Sequence, residues 1–263
     1  MIYLELMMIE EFLEEEAANK IDYSFFYSNK TLFTLFTSGS TGEPKGIQHS
    51  TGGYLLYSKY TCMNQFGMNK DSVVLTASDA GWINGHTYAL FGPLSIGSTT
   101  VLCEKPLMLL NSSFLKKILN DLRISILYLP VTLAKLIKAT NNIKSKSKYI
   151  KSVGSMGEPL SPSLNYWLSS KFSFKRIPIV NTYFQTETGG IIFSPRYDQE
   201  YSKVSLGSVG KPSCKYFKIF NHFKKKKFEI ILQNNWPGCM INVVNGHKVW
   251  NNYWYKKKFK MFD

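Results

Sequence analysis

Short apolar runs alternate with segments of helical periodicity between residues 53 and 181, and this alternation strongly constrains the fold. The runs are rich in Val, Ile and Leu, a composition typical of strands that are buried on both faces. The alternation predicts an α/β fold in which mainly parallel sheets are flanked by helices. The predicted strands are 73–76, 99–103, 124–128, 149–153 and 177–181, and the predicted helices are 53–66, 88–96, 114–122, 131–139 and 162–170.

The two ends of the chain follow the pattern less closely. Apolar residues at helical spacing predict a helix over 1–20, and short apolar runs predict strands at 32–36 and 228–232. The chain has 263 residues, of which 44% are hydrophobic, so it can bury a sizeable core in one or two domains. Its composition is not that of a disordered protein.

The sequence favours a cytoplasmic protein that does not contact a membrane. No window reaches the ~18 unbroken apolar residues of a membrane span. The acidic segment 1–20 lacks the basic start of a secretory signal. The four cysteines are widely spaced, which argues against a zinc site and against a disulfide framework. They are Cys62, Cys103, Cys214 and Cys239.

The net charge of +14 raises the alternative of a nucleic-acid partner. Much of this charge lies in the lysine-rich runs 144–148, 224–227 and 256–258, which alternate with Asn, Tyr, Phe and Ile. Such runs are also tolerated on any solvated surface. We therefore expect weak attraction for polyanions and no specific nucleic-acid partner.

Residues 37–46 form the strongest functional signal, with three glycines, four hydroxyl side chains and Lys45 in the string TSGSTGEPKG. Glycines let the backbone approach an anion, and clustered N–H and O–H groups can hold a phosphate. The string is not a Walker A loop, because no lysine follows a glycine at the required spacing. The alternative interpretation is a surface turn after a strand.

Three further segments carry polar residues after predicted strands: 78–86 (SDAGWINGH), 154–159 (GSMGEP) and 182–190 (TYFQTETGG). Each also has a structural interpretation. The first could be a glycine-bounded turn with Trp82 and His86 in the core, the second a Gly-x-Pro turn, and the third a polar turn between strands.

The four segments, in this order, resemble those of the adenylate-forming ligases. The stretch 46–54 (GIQHSTGGY) narrows the resemblance to acetyl-CoA synthetases, and 206–212 and 235–238 are similar to further turns of these enzymes. The resemblance runs from about residue 32 to about residue 246. It implies that 1–263 is part of the large N-terminal AMP-binding domain, without the small C-terminal domain.

The resemblance implies a role for each segment. Lys45 and Glu187 are the implied catalytic residues, and Glu187 also holds Mg²⁺, because a cation that bridges phosphates takes oxygen ligands. Tyr183 stacks on adenine and Thr186 contacts a phosphate. The implied ATP-binding set is Thr37, Ser38, Gly39, Ser40, Thr41, Gly42, Gly157, Glu158, Pro159, Thr182, Tyr183, Phe184, Gln185 and Thr186, and the implied substrate pocket is Trp82, Ile83, Asn84, Met156 and Phe184.

The implied reaction joins a small carboxylate to ATP, with Mg²⁺, and then transfers the acyl group to coenzyme A. Three departures from the family pattern occur: Glu43 lowers the positive charge of the loop, Asn84 replaces a smaller hydroxyl residue, and Tyr183–Phe184 replaces a Trp pair. A catalytically incomplete nucleotide-binding remnant and a ligase for another small acid remain alternatives. The sequence does not predict an oligomeric state.

Overall fold

The computed structural model describes residues 24–37, 44–140, 146–214, 219–224, 227–232, 236–244, 250–251, 253–255 and 258–260. The predicted helix over 1–20 and the loop residues Ser38, Gly39, Ser40, Thr41 and Gly42 lie outside the described residues.

A five-stranded parallel sheet forms the centre of the described chain, as the alternation predicts. Its strand order is β4-β3-β5-β6-β7, so the chain crosses from one strand to the next through helices. The carboxyl ends of all five strands meet at one edge, where the segments after β3, β6 and β7 follow. The strands are β3 (Val73–Thr76), β4 (Thr99–Val101), β5 (Ile126–Pro130), β6 (Ser152–Met156) and β7 (Ile179–Asn181).

The helices pack on both faces of this sheet. Asn111 accepts hydrogen bonds from the first backbone N–H groups of α3, and Ser161 does the same for α5, whose first residue is Pro162. The helix predicted over 88–96 is instead a π-helical segment, Gly85–Phe91, that continues into α2. The α-helices are α1 (Thr51–Phe66), α2 (Gly92–Ile96), α3 (Ser112–Asp121), α4 (Val131–Ala139) and α5 (Pro162–Lys171), and 3₁₀ turns span Pro106–Leu110, Thr186–Thr188 and Tyr201–Lys203.

Within the described residues, three smaller sheets are antiparallel. The strand predicted at 32–36 extends over β1 (Thr31–Thr37) and pairs with β2 (Lys45–Ser50), which in turn pairs with β12 (Asn242–Val244). The remaining strands are β8 (Phe193–Ser194), β9 (Lys211–Pro212), β10 (Ile219–Lys224), β11 (Lys227–Leu232), β13 (Trp254–Tyr255) and β14 (Lys258–Lys260). Of these, only β11 corresponds to a strand predicted from the sequence.

The core has one cluster on each face of the parallel sheet. Leu75, Leu127 and Val153 pack with the helices α3 to α5, whereas Phe66 and Tyr128 pack on the α1 face. A third cluster joins α1 to β2 and β12. Within the described residues, no helix combines the length and the apolar character that crossing a membrane requires.

Candidate functional site

The hairpin of β1 and β2 carries the residues that flank the Gly/Ser loop. Thr37 pairs with Lys45 across the hairpin, so the two ends of the loop are held together. Leu35 and Ile47 are paired further along, and Ile47 is fully buried. The hairpin therefore anchors a loop whose residues Ser38 to Gly42 are outside the described part.

The segment 182–190 after β7, called the Thr-Glu segment because it carries Thr186 and Glu187, begins at the buried residue Thr182. The Thr182 hydroxyl donates to the Ser155 carbonyl (2.9 Å) and also bonds the Tyr128 hydroxyl. The Gln185 N–H donates to the Thr188 hydroxyl (3.0 Å), which closes the 3₁₀ turn. These bonds fix the backbone on both sides of Thr186 and Glu187.

The predicted catalytic residues Lys45 and Glu187 both contact Tyr253. The Tyr253 hydroxyl donates to Glu187 Oε1 (2.6 Å), and the Lys45 Nζ lies 5.9 Å from the centroid of the Tyr253 ring, within cation–π range. Burial raises the pKa of Tyr253, and the negative charge of Glu187 raises it further, so the phenol keeps its proton. No sequence motif includes Tyr253, so it was not predicted as a site residue.

A second unpredicted residue, His49, ties β2 to the same segment. Its Nε2–H donates to the Thr186 carbonyl (2.7 Å). Burial lowers the pKa of His49 to about 4, against the opposing hydrogen bonds to the backbone of Thr186 and Gly238. The imidazole is therefore neutral at pH 7. His49 lies within the stretch 46–54, but a single histidine carries no signal of such a contact.

Residues 236–240, which begin with the Trp-Pro-Gly sequence, also pack against the Thr-Glu segment. The Trp236 indole N–H donates to the Thr188 carbonyl (2.9 Å), and the Met240 N–H donates to the Glu187 carbonyl (2.9 Å). Gly189 has φ +69°, and a Cβ there would lie 2.1 Å from the Gly238 carbonyl oxygen. The structure thus brings together two segments that are about fifty residues apart in the sequence.

The expected nucleotide-binding turn after β6 is exposed. Gly157, Glu158 and Pro159 all lie at the surface, and Glu158 forms an ion pair with Lys135 (2.7 Å). Tyr183 is half-buried and forms a β-bridge with Phe193. The turn and the bridge follow neighbouring strands of the parallel sheet, so they lie at the same edge.

The expected substrate-pocket residues divide into a buried group and an exposed one. Met156 is buried, and half-buried Phe184 packs against the same cluster, with its ring 5.6 Å from that of Tyr88 in an edge-on arrangement. Ile83 and Asn84 are buried. Trp82 is 66% exposed, so the structural interpretation that places it in the core is wrong.

Metal ligands are few in the described part of the chain, where no group of three or more His, Cys, Asp and Glu side chains could hold a metal ion. Glu187 alone still suits Mg²⁺, which is bound through one or two carboxylates, substrate phosphates and water. The Tyr253 hydroxyl bonds to one carboxylate oxygen of Glu187, Oε1. The donor set therefore fits a cation that arrives with a nucleotide.

Comparison with known proteins gives a consistent family. The family model described as AMP-binding enzyme matches residues 7–230. Acetyl-coenzyme A synthetase of Magnetococcus marinus is 34% identical over 229 residues, covering 82% of this chain and 35% of that protein. The Marinomonas enzyme of the same name is 39% identical over 186 residues, covering 70% and 28%. The chain spans about a third of the length of these curated relatives.

A solved structure supports the fold assignment. The anthranilate CoA ligase AuaEII, in complex with anthranoyl-AMP, matches with a TM-score of 0.77 over 92% of this chain and 46% of that chain. Its sequence identity is 16%, so the likeness shows the fold alone. The α/β fold with a parallel sheet is that of an adenylate-forming ligase.

Proposed function

Because this chain belongs to the AMP-binding enzyme family, we propose that it contributes the adenylation site of an acyl-CoA synthetase of the acetate type. In this proposal residues 1–263 are part of the large AMP-binding domain. The single observation that carries it is the contact of Lys45 and Glu187 with one buried residue, Tyr253, although the three come from separate parts of the chain.

The proposed first step joins a short carboxylate to the α-phosphorus of ATP and releases pyrophosphate. Negative charge grows on the phosphate oxygens, so the site needs donors and cations that are already in position. Lys45 supplies a positive charge at the base of the loop, and Thr37, Ser38, Ser40 and Thr41 supply hydroxyls. Mg²⁺ bound with the nucleotide neutralises phosphate charge, and Glu187 is its proposed protein ligand.

In the proposed second step the thiol sulfur of coenzyme A attacks the acyl carbon of the adenylate, the acyl–phosphate bond breaks, and AMP leaves as the thioester forms and the thiol proton is released. The carboxylate pocket consists of Trp82, Ile83, Asn84, Met156 and Phe184. Phe184, whose ring packs edge-on against Tyr88, supports a short acid in this proposal, as the side chain that would wall off the acyl pocket. The free thiols of all four cysteines support a reducing, cytoplasmic setting.

A thermal-shift series with stable acyl-adenylate analogues of increasing chain length tests this proposal. A bound ligand stabilises the folded chain by mass action, so we expect the shortest analogues to raise the melting temperature most. Lys45→Ala and Glu187→Gln should reduce the shift, whereas Lys59→Ala and Glu104→Gln, at exposed positions outside the proposed site, should not.

The alternative function is a non-catalytic remnant that binds polyanions through its basic surface, and the net charge of +14 favours this candidate. Binding of that kind disappears at modest salt and ignores the identity of the nucleotide. The proposed function would be contradicted if adenosine and guanosine nucleotides gave equal thermal shifts, if added salt abolished these shifts, and if both site variants left them unchanged.

A further inference from the structure

The side-chain amide of Asn84 is buried without a hydrogen-bond partner. Asn84 is 6% exposed, and neither its Nδ2 nor its Oδ1 has a partner within the described residues. Buried polar groups in folded proteins are almost always paired, because an unpaired one loses its bonds to water without compensation. The Asn84 amide, with both Nδ2 and Oδ1 unpaired, is therefore a candidate contact for a bound ligand.

The neighbouring polar groups of the same helical segment are all paired. The Thr87 hydroxyl donates to the Gly189 carbonyl (3.0 Å), and the Tyr88 hydroxyl accepts from the Ile191 N–H (2.7 Å). The His86 Nδ1 lies 3.2 Å from the Trp82 carbonyl oxygen, within hydrogen-bonding distance. Asn84 is thus an exception within a segment that otherwise satisfies its polar groups.

Asn84 belongs to the segment that supplies Trp82, Ile83 and Asn84 to the proposed acyl pocket. Asn84 comes four residues before Tyr88, so the two side chains lie on one face of the helical segment. Tyr88 packs edge-on against Phe184, and Met156 belongs to the same cluster. The helical segment that carries Asn84 therefore packs on the cluster that includes Met156 and Phe184.

The chemistry of an amide decides which acid can satisfy it. The Nδ2 group donates, and a carboxylate oxygen can accept from it, but a carboxylate has no proton to give to Oδ1. An unsubstituted acid such as acetate leaves Oδ1 unpaired. A hydroxyl on the carbon next to the carboxylate supplies the missing donor, and the apolar Met156 and Phe184 keep the acid short.

We propose that the acid activated at this site is a short 2-hydroxy acid of two or three carbons, recognised by the paired donor and acceptor of Asn84. This inference rests on the proposed adenylation function and specifies its substrate class. A site built to bond a hydroxyl discriminates strongly against an isostere that lacks it, because the site's own polar group is then left unpaired.

The test compares two adenylate analogues of equal size on the full chain. Hydroxyacetyl and propanoyl analogues differ by exchange of OH for CH₃, so calorimetric titration measures the value of the hydroxyl alone. We expect the hydroxyacetyl analogue to bind about tenfold more tightly, in line with the loss seen when a buried polar group is unpaired. Asn84→Leu, which keeps the side-chain shape, should remove or reverse this preference.

The outcomes separate the two proposals. Equal affinity for both analogues, with a lower affinity for AMP alone, overturns the 2-hydroxy acid and leaves the adenylation function standing. Absence of binding by either analogue and by AMP overturns both. Because the ratio is measured on the unmodified chain, the test holds even if Asn84→Leu fails to fold; Asn84→Asp, which loses the amide donor, provides the second variant.

Discussion

At the scale of single residues, the site depends on hydrogen bonds between positions far apart in the sequence. His49 reaches Thr186 across 137 positions, and Tyr253 reaches Glu187 across 66. Each bond holds an atom next to a proposed phosphate or metal contact. These bonds restrict the Thr-Glu segment from two sides. Each bond can be tested separately, by one substitution at Tyr253 or one at His49.

Tyr253→Phe tests the bond to Glu187. Loss of the hydroxyl frees the carboxylate to rotate, so we expect the Mg²⁺-dependent part of nucleotide affinity to fall several-fold. Calorimetry of a non-hydrolysable ATP analogue with and without Mg²⁺ measures that part. Tyr27→Phe, at a position 87% exposed, is the matched control. An unchanged difference between the two titrations would contradict the positioning role.

The lowered pKa of His49 leads us to expect that the folded chain loses stability in mild acid. Its pKa is about 4 in the folded chain and 6.5 ordinarily, so between these values the unfolded chain binds a proton that the folded chain does not. The free energy of unfolding is therefore unaffected above pH 6.5 and falls as the pH drops toward 4. At about 1.4 kcal/mol per unit, the loss from pH 7 to pH 5 is about 2 kcal/mol.

His49→Gln checks this prediction, because glutamine keeps a donor for the Thr186 carbonyl but does not titrate in this range. Urea unfolding at pH 7 and pH 5 should show a smaller difference for the variant than for the parent chain. Carboxylates titrate in both proteins and cancel in the comparison. The same difference in both proteins would mean that His49 is not the responsible group.

At the scale of elements, the sequence predicted the parallel sheet and its helices well, and the antiparallel strands poorly. A strand such as Val73–Thr76 is buried on both faces and has a local apolar signature. Strands such as Lys45–Ser50 and Asn242–Val244 mix polar and apolar residues, and they are defined by tertiary pairing: the first pairs with β1 and with the second. Lys45 and Glu187 were predicted from motifs and remain predictions as catalytic residues, whereas Tyr253 and His49 join the candidate site through tertiary contacts that no local pattern encodes.

Gly189, which ends the 3₁₀ turn Thr186–Thr188, is a position where substitution should destabilise the packing of that turn. Gly189 and Gly97 both have positive φ, at +69° and +83°, but a Cβ at Gly97 meets nothing within 4 Å, whereas at Gly189 it meets a carbonyl at 2.1 Å. Gly97→Ala should cost about 1 kcal/mol from backbone strain alone. Gly189→Ala adds a backbone clash, so we expect a clearly larger loss in chemical denaturation; equal losses would contradict this packing.

At the scale of the whole molecule, unbalanced positive charge opposes the compact state. The chain has 32 Lys and Arg against 18 Asp and Glu. The three ion pairs found among the described residues all lie at the surface, where such pairs contribute little. Repulsion among the remaining lysines therefore weakens folding most at low ionic strength.

Added salt should accordingly stabilise the chain. Raising NaCl from about 0.01 M to about 0.15 M shortens the screening length from about 30 Å to about 8 Å, so we expect the melting temperature to rise by a few degrees. Matched additions of a neutral osmolyte separate screening from general solvent effects. A melting temperature that falls with salt would mean that attractive ion pairs outweigh the repulsion.

The exposed indole of Trp82 has a practical consequence. Among the tryptophans whose side chains the structure describes, Trp236 is buried, Trp167 and Trp250 are half-buried, and Trp82 is the most exposed, at 66%. Trp82 belongs to the proposed acyl pocket, so its fluorescence emission is open to collisional quenchers until a ligand covers the ring. The chain therefore contains its own optical probe of pocket occupancy, and acrylamide quenching can follow ligand entry without any added label.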